Sequence, residues 1–412
     1  MADDRLVIVD GVRTPFCKMG TDLAALPADE LGRIAVNALL TRTGLDPRLV
    51  DEVIFGCVAQ PVDAANVARV IALRAGIPQF VPAMTVQRNC ASGFEAITTA
   101  HERMVAEHGS VFIVGGTESM SQIPLLFKQT TAAKFASLAK AKNFAAKLVA
   151  MSAFRFADFE PRIGLQLGLS DPVSGLNMGE TAEILAREGH ITRAEQDAFA
   201  LKSHARAVEA ETKLAEEICP VFLTGKNARA VTRDNGPRRE QSLEMLGKLR
   251  PVFDRKLGTV TAGNSSQITD GAVALLAMSE RRAAELGFKP LGRLTAYAYA
   301  GCDPARMGLG PVNAIQKLEQ SSSCKVGDAD LIEINEAFAA QVLAVVQKLP
   351  AIPREKLNVN GGAIALGHPV GASGSRLVLT ALKELTRRNA KRALVSACVG
   401  GGQGAALWLE RD

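Results

Sequence analysis

The sequence predicts an α/β fold made of two similar halves with a long insertion. Three observations support this class. Over roughly the first 120 residues, short apolar runs rich in β-branched residues alternate with segments of helical apolar spacing. The same alternation is present near the C-terminus. It is absent between these two regions, over residues 121–264. Strands that alternate with helices predict a mostly parallel sheet covered by helices.

In the first half, the apolar β-rich runs predict strands at 6–9, 53–55 and 111–114. The apolar spacing between these runs predicts helices over 31–40 and 64–75.

The second half repeats elements of the first half in the same order. An Ala-Ser-Gly tripeptide opens a predicted helix at Ala91–Gly93 and again at Ala372–Gly374. In each half, an apolar strand comes before the tripeptide, and a second strand that ends in glycines follows it. We therefore predict a duplicated fold with a first half at 1–122, completed by about 265–290, and a second half at 291–412.

The remaining segment, 123–264, is predicted to be an inserted domain. An insertion of this length on a compact scaffold more often binds substrate than merely connects. No acidic residue lies between Glu118 and Asp158, and apolar residues at roughly helical spacing predict a basic amphipathic segment. Its basic residues are Lys128, Lys134, Lys140, Lys142, Lys147 and Arg155.

Composition narrows the class of protein further. The net charge of +5, from 48 basic and 43 acidic residues, does not require nucleic acid and is compatible with an anionic small molecule. The acidic N-terminus and the lack of an apolar stretch of ~20 residues lead us to expect a soluble, cytoplasmic protein. Seven scattered cysteines, without a zinc-type spacing, predict free thiols and no metal.

Cys90 is a candidate nucleophile because it lies at a predicted strand-to-helix turn. The helix dipole and unpaired backbone N–H groups at such a turn favour a thiolate, so we expect a lowered pKa and a sulfur held ready as an anion. The alternative is a buried cysteine that behaves as a small apolar side chain.

Two glycine-rich turns near the C-terminus carry further candidates. His368 lies between Gly367 and Pro369, and Cys398 precedes Gly400–Gly402, whose exposed amides can donate to an oxyanion. The second turn can equally be a plain tight bend. We expect the other four histidines, at 101, 108, 190 and 204, to lie on solvated faces.

Three weaker candidates complete the set. Asn335 follows an apolar strand and can hold a water or a carbonyl, although it can also cap a helix. Ser266 lies in a segment of small hydroxyl residues that can hold a cofactor amide or cap a helix. Arg238 lies in basic surroundings that can take up phosphate charge, or is simply exposed.

Together these motifs resemble the thiolase family. Asn89–Gly93, Asn335–Phe338, Gly367–Pro369 and Cys398–Gly402 occur in the family's order and spacing, and the resemblance covers nearly the whole chain. It implies two α/β halves, each with its own mixed sheet layered with helices, and an inserted loop domain. It also implies a homodimer or homotetramer, acyl-CoA substrates, and coenzyme A as co-substrate with no permanently bound cofactor.

The resemblance also implies roles for individual residues. Cys90 would attack a 3-ketoacyl-CoA after His368 takes its proton, and a water on Asn335 would help to stabilise the enolate. Cys398 would transfer protons to and from the acetyl unit and the incoming coenzyme A. The N–H groups of Cys90 and Gly400 would hold the oxyanion. Ser266 would lie near the pantetheine arm, and Arg238 near the nucleotide phosphates.

Asn177 departs from the pattern of short-chain biosynthetic thiolases, which carry histidine at this position before Met-Gly. The basic segment resembles that of β subunits in fatty-acid oxidation complexes, so a hydratase/dehydrogenase α subunit, or peripheral membrane contact through 125–162, is expected. This favours thiolytic cleavage of 3-ketoacyl-CoA. The alternatives are condensation of two acetyl-CoA, a decarboxylating ketoacyl synthase, and a non-catalytic lipid-binding or scaffold protein.

Overall fold

A computed structural model describes residues 4–225 and 228–412 of the chain. Its strands are β1 (Leu6–Arg13), β2 (Cys17–Lys18), β3 (Glu52–Gly56), β4 (Ala83–Val86), β5 (Val111–Glu118), β6 (Leu125–Leu126), β7 (Arg162–Ile163), β8 (Val221–Leu223), β9 (Arg229–Val231), β10 (Thr269–Ser279), β11 (Gly292–Gly301), β12 (Leu331–Ile334), β13 (Arg392–Val399) and β14 (Gln403–Glu410).

The α-helices are α1 (Ala28–Thr43), α2 (Val67–Arg74), α3 (Ser92–Val105), α4 (Gln129–Lys140), α5 (Phe144–Ser152), α6 (Gly164–Gly168), α7 (Met178–Glu188), α8 (Arg193–Glu209), α9 (Glu211–Ala215), α10 (Leu243–Gly247), α11 (Glu280–Glu285), α12 (Gly310–Ser321), α13 (Ala339–Lys348), α14 (Ala363–Leu366) and α15 (Ser373–Arg388).

The main sheet runs in the order β12-β13-β14-β11-β1-β10-β5-β3-β4. Parallel pairs occur only at its two ends, in β3 with β4 and β5 and in β12 with β13. The two mixed sheets expected for the halves are joined into this one sheet, because β1 and β11 pair antiparallel at the junction of the halves. Only two residue pairs, Val7 with Arg293 and Ile8 with Gly292, make this connection.

The strands and helices expected in the first half are present, most of them longer than their sequence patterns indicate. The central strand β10 was not foreseen as a strand. Its sequence is dominated by Ala, Leu and Met, which are good helix formers, yet every residue in it is buried between neighbouring strands. Tertiary packing overrides local propensity at this position.

Helices α3 and α15 start side by side, and both belong to the largest apolar core cluster. Each starts at an Ala-Ser-Gly tripeptide, and the two glycines allow the close approach. A Cβ atom on Gly93 would lie 2.6 Å from the backbone nitrogen of Ser375, and one on Gly374 would lie 2.6 Å from that of Phe94. Cys90 lies two residues before α3 and His368 lies five residues before α15, so this contact helps to bring them together.

The predicted insertion has two structurally different parts. Its C-terminal part includes α7 and α8, which pack against α13 of the second half. Its N-terminal part includes α4 and α5, and no residue of α5 is buried. Across the residues that the structure describes, no helix combines the length and apolar character that crossing a bilayer requires.

We expect Gly93→Ala to destabilise the protein by about 1–3 kcal/mol, because the added methyl group would overlap the α15 backbone. Denaturant unfolding of both proteins measures this difference. Gly247→Ala is a matched control, since its methyl group would meet no atom within 4 Å. Equal stability of the Gly93 variant would contradict the close contact.

Candidate active site

Cys90, His368 and Cys398 line a single cavity of about 600 Å³. Cys90 comes from the turn between β4 and α3, His368 from the loop before α15, and Cys398 from the end of β13. Ser266 and Gly400 also line this cavity. The fold therefore brings together five of the seven residues that the sequence singled out.

The turn that carries Cys90 is tied directly to the second half. Asn89 has a left-handed backbone with φ of 43°, uncommon for a residue other than glycine. Its side-chain nitrogen donates to the carbonyl oxygen of Gly400 at 2.8 Å. The Ser92 hydroxyl closes the turn by donating to the Asn89 carbonyl at 2.7 Å. These bonds place the sulfur beside the Gly400 turn.

The expectation that Cys90 has a lowered pKa is wrong. Burial raises its pKa above that of an ordinary cysteine, and the charge of Glu118 acts in the same direction. The backbone N–H groups of Gly400 and of Cys90 itself interact with the sulfur and oppose this rise, but desolvation is the larger effect. Cys90 therefore rests as a thiol.

Cys398 lies at the base of the cavity and is almost fully buried. Burial raises its pKa well above the ordinary value, with smaller contributions from Cys90 and Cys302. Gly401 and Gly402 follow with φ of 87° and 80° and turn the chain into β14. The second thiol is thus also protonated at rest, and it lies close to the first.

His368 is held at both ring nitrogens. Nδ1 lies 2.5 Å from the Ser373 hydroxyl oxygen, and Nε2 lies 3.4 Å from the side-chain nitrogen of Asn335. Ser373 donates its own proton to the Pro369 carbonyl at 2.9 Å, so it accepts from Nδ1–H. This leaves Nε2 as the unprotonated nitrogen, the one that can take up a proton.

Burial, and then the charge of Arg376, lower the pKa of His368 to about 4. The imidazole is therefore neutral near pH 7 and able to act as a base. The buried oxygen Oδ1 of Asn335 has no hydrogen-bond partner in the described part of the chain. A buried acceptor of this kind is suited to hold a water or a substrate group.

The two residues expected to bind coenzyme A are placed differently. Ser266 lines the cavity, whereas Arg238 is exposed and is not among the described residues that line it. The backbone N–H of Arg238 donates to Nδ1 of His204 at 3.2 Å. His204 is buried, not on a solvated face as expected, and burial with the nearby cations lowers its pKa to about 4.

Sequence reasoning missed Glu118, a fully buried carboxyl group on the cavity wall. It accepts hydrogen bonds from the backbone N–H groups of Val58, Ala59 and Gly371 at 3.1, 2.8 and 2.9 Å. It therefore joins a loop of the first half to the loop that follows His368. Its position at the end of a buried strand, shortly after two glycines, was the available signal.

The insertion supplies much of the apolar wall of the cavity, which the sequence did not assign residue by residue. The contributing apolar side chains are Ile123, Leu165, Leu167, Leu169, Val173 and Met178. A long apolar substituent could therefore bind beside the two thiols.

The geometry supports nucleophilic catalysis by a thiol with a neutral imidazole as base. The two backbone N–H groups at Cys90 and Gly400 can stabilise a developing oxyanion. No group of three or more His, Cys, Asp or Glu side chains within residues 4–225 and 228–412 is arranged to hold a metal ion.

We expect alkylation of Cys90 by iodoacetamide to keep accelerating above about pH 9, because its raised pKa moves thiolate formation beyond that of a free cysteine. Peptide mapping by mass spectrometry identifies the labelled residue, and Cys90→Ala is the control. A midpoint below that of free cysteine would show that the helix N-terminus outweighs burial.

Comparison with known proteins agrees with the fold. The model of the thiolase N-terminal domain matches residues 6–281, and that of the C-terminal domain matches residues 288–411. A 3-ketoacyl-CoA thiolase of Serratia proteamaculans is 39% identical over 99% of this chain and 97% of its own. An acetyl-CoA acetyltransferase of Cupriavidus necator is 41% identical, over 98% of this chain and 99% of its own.

Solved structures give the same result. The human mitochondrial 3-ketoacyl-CoA thiolase in complex with CoA superposes with a TM-score of 0.89, at 38% identity over 99% of this chain and 98% of that chain. The Bacillus anthracis acetyl-CoA acetyltransferase gives a TM-score of 0.90 at the same identity and coverage. The chain belongs to the thiolase family of acyltransferases.

Proposed function

We propose that this protein is a 3-ketoacyl-CoA thiolase, which cleaves its substrate with coenzyme A to give acetyl-CoA and a shortened acyl-CoA. The observation that carries this proposal is the meeting of Cys90, His368 and Cys398 at one cavity. Two thiols and one neutral imidazole are the groups needed for two successive acyl transfers with a proton donor at each.

In the first step, Nε2 of His368 takes the proton of Cys90, and the sulfur attacks the C3 carbonyl carbon. The N–H groups at Cys90 and Gly400 stand beside the sulfur, and each such donor is typically worth ~3 kcal/mol to a tetrahedral oxyanion. The C2–C3 bond then breaks, and its electron pair forms an enolate. Cys398 protonates C2, which releases acetyl-CoA and leaves the acyl group on Cys90.

In the second step, the Cys398 thiolate takes the proton of the incoming coenzyme A. The coenzyme A sulfur attacks the acyl carbon, the bond to the Cys90 sulfur breaks, and His368 returns its proton to that sulfur. All three side chains end in their starting protonation states. The raised pKa values of both thiols and the lowered pKa of His368 are consistent with this neutral resting state.

We propose that the enzyme acts in the degradative direction, with a broad or long acyl-chain preference. The apolar wall that the insertion adds to the cavity supports this choice, since it offers surface for an alkyl chain. Asn177 stands where short-chain biosynthetic thiolases carry a histidine. Here it caps α7 and accepts a hydrogen bond from the backbone N–H of Glu180 at 3.0 Å. The position of Ser266 on the cavity supports a pantetheine arm along that side.

We expect thiolysis of 3-ketoacyl-CoA substrates across a series of chain lengths, with an acyl adduct on Cys90 detectable by mass spectrometry. Cys398→Ala should lower kcat at least ~100-fold, because it removes the proton donor for C2, while alkylation of Cys90 is retained.

Activity confined to acetoacetyl-CoA would overturn the chain-length proposal and favour the acetyl-CoA acetyltransferase activity named for several relatives. Full turnover in the Cys398→Ala variant would instead favour a decarboxylating synthase.

We also propose that the segment 125–162 binds anionic membrane surfaces. Phe144, Leu148 and Met151 share one face of α5 at 79%, 56% and 60% exposure, and Phe156 is 99% exposed. Apolar side chains clustered on one exposed helix face indicate an interaction surface.

The charges around α5 favour an anionic partner. Lys128 and Lys134 pair with Glu160 and Asp158, whereas no ion pair in the described part of the chain includes Lys140, Lys142 or Lys147. If a second copy of this chain docked through the same face, the lysines of the two copies would come together and their like charges would repel. Anionic lipid attracts them instead.

We expect the protein to co-float with phosphatidylglycerol-containing vesicles at low salt but not with phosphatidylcholine vesicles alone. Phe144→Ser should weaken this binding, because it removes an exposed apolar side chain. Phe80→Ser, at a site that is 72% exposed on the first half, is the matched control. Absence of vesicle binding at low salt would overturn the proposal and leave an α subunit as the candidate partner.

A further inference from the structure

The two hydrogen-bond partners of His368 belong to two different elements of the second half. Ser373, which contacts Nδ1, is the first residue of α15. Asn335, which contacts Nε2, directly follows β12. The orientation of the imidazole therefore depends on how α15 is placed relative to β12.

A buried ion pair joins these same two elements. Nη1 of Arg376 lies 3.2 Å from Oε2 of Glu333, and the two side chains are 1% and 3% exposed. Arg376 is one helical turn after Ser373 on α15, and Glu333 is two residues before Asn335 on the same face of its strand. The ion pair thus connects α15, which carries the partner of Nδ1, with β12, which is followed by the partner of Nε2.

Stability alone does not explain this ion pair. Burying two charges is expensive, and well-packed apolar residues of similar volume often stabilise a fold at least as well. Nε and Nη2 of Arg376 also have no hydrogen-bond partner within residues 4–225 and 228–412. Two of the three guanidinium nitrogens are therefore without a hydrogen-bond partner in the interior, and the cation acts on the imidazole.

We propose that Arg376 and Glu333 are positioning residues that hold His368 between Ser373 and Asn335, with Nε2 free to act as the base. This inference rests on the proposed function, in which His368 takes the proton of Cys90. Neither Arg376 nor Glu333 lines the cavity, as far as the described residues define it.

The positive charge of Arg376 also acts electrostatically on the imidazole of His368. It lowers the pKa of His368 in addition to the effect of burial. Burial raises the pKa of Glu333 while the charge of Arg376 opposes this rise, so this carboxyl group takes up a proton on the acid side of the profile and then compensates the cation less. The titratable groups that line the cavity with His368 are Cys90, Cys398, Glu118 and Asp171, and the carboxyl groups that interact with Arg376 are Glu217, Glu333 and Glu336.

The test compares Arg376→Met with the wild-type enzyme. Without the cation, the pKa of His368 should rise from about 4 towards its ordinary value of 6.5, so kcat/KM should begin to fall at a higher pH on the acid side. Arg376→Lys, which keeps a positive charge, should restore the wild-type profile. Glu333→Gln, which mimics the protonated carboxyl group, should leave the acid side of the profile in place.

Arg13→Met is the matched control for loss of a buried arginine. Arg13 is equally buried and forms ion pairs with Glu217 and Asp234, and Arg376 is the charge that lowers the pKa of His368, not Arg13. We expect it to reduce stability without moving the acid side of the profile. An equal shift in the Arg13 and Arg376 variants, or no shift in Arg376→Met, would overturn the proposal.

Nitrogen NMR of ¹⁵N-histidine-labelled protein provides a readout that does not depend on turnover, with His368→Asn identifying the signal. The wild-type protein should show the Nδ1–H tautomer, and Arg376→Met should show a raised pKa or a mixed tautomer. An unchanged spectrum would overturn the positioning role. Loss of thiolysis in the wild type, with the predicted spectra retained, would instead contradict only the proposed function.

Discussion

The close approach of α3 and α15 is the contact on which the rest of the site depends. Each helix has, as its second residue, a glycine whose added side chain would push the neighbouring helix away, so the two starts can meet only with hydrogen at both positions. Because Cys90 and His368 lie two and five residues before these helices, this backbone contact helps to bring nucleophile and base to one cavity. Residues from several other segments then complete that cavity.

Burial governs the charges at this centre. It raises the pKa of both thiols and lowers that of the imidazole, so all three groups are neutral before a substrate binds. Helix N-termini and backbone N–H groups act against this trend at Cys90, yet they do not reverse it. The same donors are then available to a substrate oxyanion, whose charge develops only during the reaction.

Much of this arrangement could be predicted from the sequence, because turns with unusual backbone needs leave clear signals. Cys90, His368 and Cys398 are each marked by neighbouring glycines or proline, and the repeated Ala-Ser-Gly tripeptide indicated the duplication. The sign of the Cys90 pKa shift was wrong because a helix start is visible in sequence, whereas depth of burial is not. Glu118 and β10 were missed because their roles arise from contacts between distant segments.

The narrow junction between β1 and β11 has a consequence for solubility. Each half, taken alone, would be a sheet with two end strands, β1 and β4 in the first half and β11 and β12 in the second. Unpaired edge strands invite pairing with other chains. By joining β1 to β11, the duplicated fold has two end strands where separate halves would have four, and one of these two, β12, is also covered by a parallel bridge between Ile332 and Leu357.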